Sequence, residues 1–152
     1  MDDADQKIAF QGACGAYSDL ACRGAHPELK TLPCHTFEDT FAAVHEGRAR
    51  LAMIPIDNSV AGRVADIHSL LPESGLHIIG EYFQRVDHHL LALPGPKTQE
   101  LTHVHSHVHA LPQCREVIRQ LGLEPVIYAD TAAGAKMISE LGDKTQAAIA
   151  SE

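Results

Sequence analysis

Short apolar runs alternate with segments of helical periodicity along this chain, and the alternation constrains the fold more than any other feature. The runs predict strands at residues 7–10, 51–56, 76–83, 88–93, 102–106, 125–129 and 146–150. The periodic segments predict helices at residues 16–23, 37–46, 61–71, 110–121 and 131–141. Thr36 is the expected N-cap of the second helix, and Gly47 is expected to end it. Strands that alternate with helices predict an α/β fold with mainly parallel sheets.

The composition places the chain among globular proteins and limits its partners. Hydrophobic residues make up 45% of the 152 residues and charged residues 21%, which provides enough apolar surface for a core. The 20 acidic and 12 basic side chains give a net charge of −8. Nucleic acid is therefore not an expected partner, because phosphate binding needs clustered Lys and Arg.

Neither a secretory leader nor a membrane span is expected. The first residues, MDDADQK, are acidic where a leader is basic and then apolar. The longest apolar runs, such as residues 90–94, are far shorter than the roughly 20 residues that span a bilayer. Reduced thiols and a cytoplasmic location are expected rather than a disulfide framework, because the cysteines form no C-x-x-C pair. The four cysteines are Cys14, Cys22, Cys34 and Cys114.

A change of pattern at residues 82–88 predicts a boundary between two α/β lobes. A strand passes there into a charged link, and a second set of strands begins. We expect lobe 1 at residues 1–83 and lobe 2 at residues 84–152. Open α/β sheets bind ligands at the carboxyl ends of their strands, so a cleft between the lobes is the expected ligand site.

Four loops that follow predicted strands are candidate ligand contacts, and the first is QGACGAYS at residues 11–18. Its glycines let backbone N–H groups approach an anion at a helix N-terminus, although a simple tight turn is the other interpretation. The second loop places Asp57, Asn58 and Ser59 directly after an apolar strand. These side chains could hydrogen-bond substrate oxygens, or Asn58 or Ser59 could only cap the next helix.

The third loop is rich in histidine. His103, His105 and His107 share one face if residues 102–107 form a strand, and His109 follows them. They could bind zinc, but no nearby carboxylate or cysteine completes a site, so partly exposed edge histidines are favoured and no metal is expected. The fourth loop, at residues 130–134, offers the hydroxyl of Thr131, whose other interpretation is a simple N-cap.

Motifs of covalent or metal-dependent catalysis are absent from the sequence. It contains no G-x-S-x-G, no H-E-x-x-H and no evident Cys–His nucleophile pair. The polar loops therefore indicate non-covalent chemistry on a small anionic ligand.

Five segments taken together resemble the prephenate dehydratase family. They read IAFQGACGAYSD, LPCHTFEDTFAAVHEGRARLAMIPIDNSVAG, LLPESGLHIIGEYF, VHSHVHALPQC and AAIASE, in family order and spacing over nearly the whole chain. The resemblance implies a two-lobe fold similar to type II periplasmic binding proteins, with the ligand cleft between the lobes. It also implies a cytoplasmic lyase that converts prephenate to phenylpyruvate in L-phenylalanine biosynthesis.

The site implied by this resemblance needs no metal or organic cofactor. Aromatisation of the ring drives the reaction, so the enzyme has to hold a dianion and help hydroxide to leave as water. The residues implied to be catalytic are Asn58, Ser59 and Gln113, the last followed by the family's Cys at Cys114. The residues implied to bind substrate are Asp57, Ser106, His107, Thr131, Gly15, Ala16, Tyr17 and Ser18.

The sequence departs from the family pattern at three places. The family acid is usually Glu where this chain has Asp57, and His109 stands where Gln is common. The family's Thr-Arg-Phe motif, whose Thr is the favoured proton donor, and its ACT regulatory domain, which binds phenylalanine, are not found in these 152 residues. We therefore expect lobe 2 to be incomplete at its C-terminal end and the chain alone to have weak or no dehydratase activity.

Two other functions fit the same residues. One is a two-lobe module that binds or senses a small molecule without catalysis. The other is an arogenate dehydratase, since one amino group separates arogenate from prephenate. The expected partner is in each case a small molecule, without nucleic acid or membrane, and formation of a homo-oligomer is left open.

Overall fold

In the computed structural model, which describes residues 6–151, the chain divides into two compact units. The first ends at Arg85 and the second begins at Val86, within the segment in which the sequence predicts a boundary. The assignment of these units to lobes of a dehydratase domain, and the incompleteness of the second lobe, stay predictions.

The N-terminal unit contains one parallel sheet and one short hairpin. Its strands are β1 (Lys7–Gln11), β2 (Lys30–Cys34), β3 (Leu51–Met53), β4 (Asp57–Asn58) and β5 (Gly62–Arg63). Its helices are α1 (Tyr17–Ala25), α2 (Phe37–His45) and α3 (Ala65–Glu73). The parallel sheet has the order β2-β1-β3, and β4 pairs antiparallel with β5.

The central strand β1 is buried on both faces. Side chains alternate along a strand, so Ile8 and Phe10 face one side of the sheet and Ala9 faces the other. Ile8 and Phe10 pack in one cluster with Cys22 of α1, whereas Ala9 packs in another with Ala43 of α2. The two helices therefore cover opposite faces, which explains why the strand is apolar throughout.

The start of α2 is the one that the sequence predicts. The Thr36 hydroxyl oxygen accepts a hydrogen bond from the N–H of Asp39 at 3.0 Å, so the predicted N-cap is confirmed. Gly47, after the helix, has the left-handed backbone that favours glycine, with a φ of 67°.

Two strands of this unit depart from the predicted set: β2 is additional, and β3 is shorter than predicted. Strand β2 is absent from the predicted strands, and Pro33 lies within it. Because β2 is an edge strand, the missing proline N–H is tolerated there. Strand β3 is shorter than the predicted strand 51–56, because Met53 already pairs with Phe10 near the end of β1.

The strand predicted at residues 76–83 is wrong. No other strand within residues 6–151 pairs with this segment, and Ile78 and Ile79 are 70% and 78% exposed. An apolar run becomes a strand only where a neighbour supplies the hydrogen bonds of a ladder.

The C-terminal unit contains one mixed sheet and two α-helices. Its strands are β6 (His89–Ala92), β7 (His103–Ser106), β8 (Glu124–Ile127) and β9 (Gln146–Ala150). Its helices are α4 (Arg115–Gln120) and α5 (Thr131–Leu141), with short 3-10 helices at Thr98–Glu100 and Leu111–Cys114. The sheet order is β6-β9-β7-β8, in which β7 is parallel to β8 and β9 and only β6 runs antiparallel.

All four predicted strands of this unit are formed, and the prediction of mainly parallel sheets is confirmed. Strand β9 is buried from Ala147 to Ala150, and its Ile149 packs in the core cluster with Val104 of β7. The helix predicted at 110–121 is wrong in its first turn, which is a 3-10 helix with Pro112 at its start. Proline supplies no N–H but fits a first helical turn, so the α-helix proper begins only at Arg115.

No helix among the described residues is both long enough and apolar enough to cross a membrane.

Candidate functional site

The loop that follows β1 depends on two glycines with left-handed backbone. Gly12 has a φ of 119°, and its N–H donates to the carbonyl of Cys34 at 2.9 Å. Gly15 has a φ of 89°, and its N–H donates to Oδ2 of Asp19 at 2.8 Å. Any L side chain at either position would be strained, so this loop geometry requires the glycines.

The predicted substrate-binding residues of this loop differ in what they can present to a ligand. Gly15 is exposed, while Tyr17 and Ser18 are half-buried at the start of α1. Ala16 is buried and stands at the N-cap, where its methyl group makes no side-chain hydrogen bond. The side chain of Ala16 therefore offers nothing to a polar ligand, and its backbone N–H already donates to the carbonyl of Ala13 at 3.0 Å.

Asp19 is a residue of this loop region that the sequence analysis missed. Its side chain is fully buried, and Oδ2 accepts from the Gly15 N–H and from Nη2 of Arg23, each at 2.8 Å. Its Oδ1 is buried with no hydrogen-bond partner among the described residues. An acid in the first turn after a glycine loop, with Arg four residues later, is the sequence signal that could have identified it.

The hairpin β4–β5 carries the triplet Asp57, Asn58 and Ser59 and corrects the predicted strand-to-helix junction. The helix expected from residue 61 begins at Ala65, because the hairpin occupies the residues between. Its N-cap is Val64, which makes no side-chain cap, so the interpretation of Asn58 or Ser59 as the helix cap is wrong. Asp57 and Ser59 are exposed, and Asn58 is half-buried.

Asn58 has its side-chain orientation fixed by the hairpin turn. Its Oδ1 accepts hydrogen bonds from the N–H groups of Val60 and Ala61, at 2.9 and 2.8 Å. With the oxygen held by two backbone donors, the Nδ2 amide group faces the other way. Within the described part of the chain Nδ2 donates to nothing, so it is available to an anionic or hydroxyl ligand.

The glycine loop and the hairpin leave the same edge of the N-terminal sheet. Strands β1 and β3 are parallel, with Phe10 opposite Met53, so their carboxyl ends lie side by side. The carboxyl edge of a parallel sheet is where α/β proteins place ligand contacts.

In the C-terminal unit, Ser106 is buried at the end of β7. Its hydroxyl donates to the carbonyl of Ile149 at 2.6 Å, which ties β7 to β9. A substrate contact through this hydroxyl stays a prediction, and it would have to compete with that hydrogen bond.

His107 is held as a neutral hydrogen-bond donor. Its Nδ1 accepts from the N–H of His109 at 3.3 Å, and the two rings lie 5.2 Å apart. Burial lowers the pKa of His107, the nearby His109 lowers it further, and Asp130 opposes the shift. The ring is therefore neutral at pH 7 with its proton on Nε2, because Nδ1 is the acceptor.

Gln113 braces the turn that carries these histidines. Its Nε2 donates to the carbonyl of His109 at 2.7 Å. Its side chain also hydrogen-bonds His88, whose pKa is lowered by burial despite this contact. The next residue, Cys114, is half-buried, and burial raises the pKa of its thiol.

Asp130, and not Thr131, caps helix α5. Oδ1 of Asp130 accepts from the N–H of Ala133 at 2.7 Å, whereas Thr131 is the first helical residue. The N-cap interpretation of Thr131 is therefore wrong, and its half-buried hydroxyl makes no hydrogen bond to the residues that the structure describes.

The loops after β7 and β8 also start from one edge. The two strands are parallel, with Ser106 opposite Ile127, and the charge of Asp130 acts on His107. The structure thus brings the predicted residues His107 and Thr131 to one side of the C-terminal sheet.

The other histidines of β7 form no metal site. His105 bonds Gln146 at 2.8 Å through Nε2, while His103 lies 3.5 Å from Glu124 and 2.8 Å from the Thr102 hydroxyl. Among residues 6–151 no three His, Cys, Asp or Glu side chains are grouped so that they could hold a metal ion. His103 and His105 are partly exposed on one face of β7, as expected. The expected edge position is wrong, because β7 lies between β8 and β9 and pairs with both.

Comparison with known proteins places this geometry in context. A model of the prephenate dehydratase family matches residues 8–152. The bifunctional N-acyl-homoserine lactone acylase/prephenate dehydratase of Komagataeibacter europaeus is 55% identical over 149 residues, 98% of this chain and 53% of that protein. The chloroplastic arogenate dehydratase/prephenate dehydratase 1 of Arabidopsis thaliana is 40% identical over 150 residues, 99% of this chain and 38% of that protein. The chain thus spans about half or less of the length of these curated relatives.

Solved structures agree on the fold. GqqA, reported as a novel type of quorum quenching acylase, is 56% identical with a TM-score of 0.85, over 95% of this chain and 53% of that one. The prephenate dehydratase of Arthrobacter aurescens, in complex with L-Phe, is 24% identical with a TM-score of 0.75, over 95% of this chain and 50% of that one. Such neighbours have the type II periplasmic-binding-protein-like α/β fold, so the predicted fold class is confirmed.

Proposed function

The chain belongs to the prephenate dehydratase family, and we propose that it serves the decarboxylating dehydration of prephenate to phenylpyruvate. In that reaction the ring carboxylate leaves as carbon dioxide, and the electron pair of the broken C–C bond aromatises the ring and expels the ring hydroxyl. One proton delivered to the hydroxyl lets it leave as water. The prephenate dianion thereby becomes the phenylpyruvate monoanion. The site has to hold two carboxylates and place a donor near the hydroxyl.

The observation that carries this proposal is the fixed amide of Asn58. Two backbone N–H groups hold its Oδ1, so Nδ2 is oriented as a donor before any ligand arrives. A neutral, preorganised donor suits a reaction in which negative charge develops on a leaving oxygen. We assign Nδ2 of Asn58 to the substrate and the exposed hydroxyl of Ser59 to a supporting hydrogen bond. Exposed Asp57 borders the same contact.

Neutral donors also define the proposed contacts of the C-terminal unit. His107 offers its Nε2–H and Thr131 its unengaged hydroxyl, while Gln113 positions the turn that carries His107. In the N-terminal unit, the Ser18 hydroxyl and the backbone at Gly15–Tyr17 are the proposed contacts. A net charge of −8 attracts no dianion over distance, so binding has to depend on such local donors.

The test of this proposal is Asn58→Asp in the protein that carries this sequence. Aspartate keeps an oxygen for the N–H groups of Val60 and Ala61, so the hairpin is retained while the donor becomes a second acceptor. We expect kcat/KM for phenylpyruvate formation to fall by about 100-fold or more, the typical loss for one such donor. Gln120→Glu is the matched control, since it makes the same chemical change at an exposed position of α4.

Unchanged turnover in Asn58→Asp would remove Asn58 from the reaction. Calorimetry measures prephenate binding in parallel with the turnover assay. Binding without phenylpyruvate formation in the unsubstituted protein would favour the module that binds or senses its ligand.

Arogenate is the alternative substrate, because the Arabidopsis relative carries both activities in its name. Arogenate has an ammonium group where prephenate has a keto oxygen, and exposed Asp57 could attract that cation. Parallel assays with both substrates decide the preference. If arogenate is preferred, Asp57→Asn should lower kcat/KM for arogenate more than for prephenate.

A second candidate function is hydrolysis of N-acyl-homoserine lactones, favoured by the names of the Komagataeibacter relative and of GqqA. Water would add across the amide bond to give a fatty acid and homoserine lactone. Burial raises the pKa of Cys22 to about 12 and also raises that of Cys114, so neither thiol supplies a thiolate at neutral pH. Release of decanoate from N-decanoyl-homoserine lactone, followed by mass spectrometry, tests this activity.

Three further expectations stay predictions beside this proposal. They are the cytoplasmic location, the formation of a homo-oligomer and the place of the reaction in L-phenylalanine biosynthesis. The cysteines are free in the structure.

A further inference from the structure

The C-terminal unit contains a cavity of about 390 Å³ that includes none of the predicted site residues. It lies among the 3-10 helix Leu111–Cys114, helix α4 and the start of β8. Its lining residues are Leu111, Pro112, Arg115, Ile118, Arg119, Leu123 and Pro125. Its volume falls within the range of small-molecule sites in proteins.

The floor of this cavity is the hydrophobic core itself. Leu111, Ile118 and Leu123 belong to the main core cluster of the unit, and each is only 6–8% exposed. An apolar group that fills the cavity would therefore contact packed aliphatic side chains and displace water from them.

Two arginines give the cavity a positively charged side. Arg115 and Arg119 are one helical turn apart on α4, so their side chains lie on the same face. Both are exposed, and neither has an ion pair or a hydrogen-bonded partner among residues 6–151. They are the only arginines between residues 86 and 152, and the three lysines of that range, Lys97, Lys136 and Lys144, do not line the cavity.

We propose that this cavity binds an organic carboxylate with an apolar body, of the aromatic 2-oxo acid or acyl type. The apolar body lies on Leu111, Ile118 and Leu123, and the carboxylate pairs with the two guanidinium groups. Two adjacent, unpaired guanidinium groups repel each other, and an anion held by both relieves that repulsion. A purely apolar ligand would contact only the aliphatic residues of the cavity, and a purely ionic ligand would contact only the two arginines.

The probes are phenylpyruvate and decanoate, which distinguish the two sources of such a carboxylate. Pyruvate, which lacks the apolar body, and benzyl alcohol, which lacks the charge, are the matched controls. Binding is followed by NMR from the methyl signals of Ile118 and Leu123, with Ile118→Val as an aid to assignment. We expect saturable shifts with at least one of the two probes and none with either control at the same concentration.

The double variant Arg115→Gln/Arg119→Gln should weaken that binding about tenfold or more, since each guanidinium contributes a charge-assisted hydrogen bond. Lys136→Gln/Lys144→Gln removes the same charge from exposed positions of the same unit and should leave the affinity unchanged. Asn58→Asp should leave these methyl shifts unchanged, which separates this site from the proposed substrate contacts.

Three results would overturn the proposal. They are absent methyl shifts with both probes, equal affinity in the two double variants, and shifts that follow protein concentration instead of ligand. The last result would mean that a second copy of the chain covers the cavity.

Discussion

Hydrogen-bond partners separate residues that look alike in the sequence. Ser106 ends β7 and Thr131 begins α5 after the loop that follows β8, and both hydroxyl residues are implied by the family resemblance to bind substrate. Ser106 is buried and donates to the carbonyl of Ile149, whereas the Thr131 hydroxyl is not engaged by the described residues. The two residues therefore differ in their availability to a ligand, a difference that their position in the motif does not reveal.

Thr131 and Asp130 are neighbours with separable roles. Thr131→Val removes the hydroxyl at nearly constant shape, and we expect KM for prephenate to rise about tenfold with the free energy of unfolding unchanged. Asp130→Ala removes the cap of α5 and should lower the free energy of unfolding by about 1 kcal/mol. Urea unfolding and steady-state kinetics on both variants check the separation, and a stability loss in Thr131→Val would argue against it.

His107 gives the stability of the protein a dependence on pH with a defined sign. Burial, with help from His109, lowers its pKa in the folded state below the ordinary value of 6.5. Between these two pKa values the unfolded chain binds more protons than the folded one, so the free energy of unfolding falls as pH falls through 6.5. Below the folded pKa both states are protonated and this contribution stops changing.

The variant His107→Gln should reduce that dependence, measured by urea unfolding between pH 7.5 and 5. His88, whose pKa is lowered mainly by burial, contributes with the same sign, so some dependence should persist in the variant. An identical pH profile in His107→Gln and the unsubstituted protein would show that His107 is not its source.

At the scale of elements, a capping residue in the sequence indicates that a helix begins nearby. Thr36 caps α2 through the N–H of Asp39 as predicted. Helix α5 has its predicted bounds, but its N-cap is Asp130 and not Thr131, since the two residues are adjacent and both residue types cap helices. A capping residue in the sequence thus indicates that a helix begins. Only the folded backbone decides which of two neighbouring candidates accepts the capping hydrogen bond.

Thr36→Ala should destabilise the N-terminal unit by about 1 kcal/mol, because the N–H of Asp39 loses its acceptor at the start of α2. Thr36→Ser keeps the hydroxyl and is the matched control, with most of the stability retained. Chemical unfolding of the two variants measures the difference. If both lose the same stability, the methyl group of Thr36 and not its cap is what matters.

At the scale of the whole molecule, each unit has its own buried core. Ile8 is 1% exposed in the core of the N-terminal unit, and Ile149 is 4% exposed in that of the C-terminal unit. The acidic charge is a property of the whole chain, whereas the binding proposed above depends on local donors and, in the cavity beside α4, on two arginines.

Ile8→Val and Ile149→Val form a matched pair, each removing one methylene from a core at an expected loss of about 0.5–1.5 kcal/mol. Hydrogen exchange resolved by residue should show the larger loss of protection in β1 for Ile8→Val and in β9 for Ile149→Val. Equal losses in both strands for either variant would mean that the two cores do not open separately.

The sequence by itself determined what depends on near neighbours along the chain. The alternation of apolar runs and helical periods predicted the α/β class and most elements, and the family motifs predicted the fold that the comparisons confirm. The glycine loop after β1 and the Thr36 cap also came from local pattern. The donor that Thr36 accepts lies three residues away, and the left-handed backbone of Gly12 and Gly15 follows from backbone sterics.

The tertiary structure alone decided where partners lie far apart in sequence. Ser106 is engaged by Ile149, 43 residues away, which requires the register of β7 against β9. The apolar run at residues 76–83 reads as a strand, but it forms none because no ladder partner reaches it among the described residues. The cavity between Arg115, Arg119 and the core exists only once α4 is placed beside β8. Periodicity records what one segment prefers, whereas pairing, burial and hydrogen-bond partners depend on segments that only folding brings together.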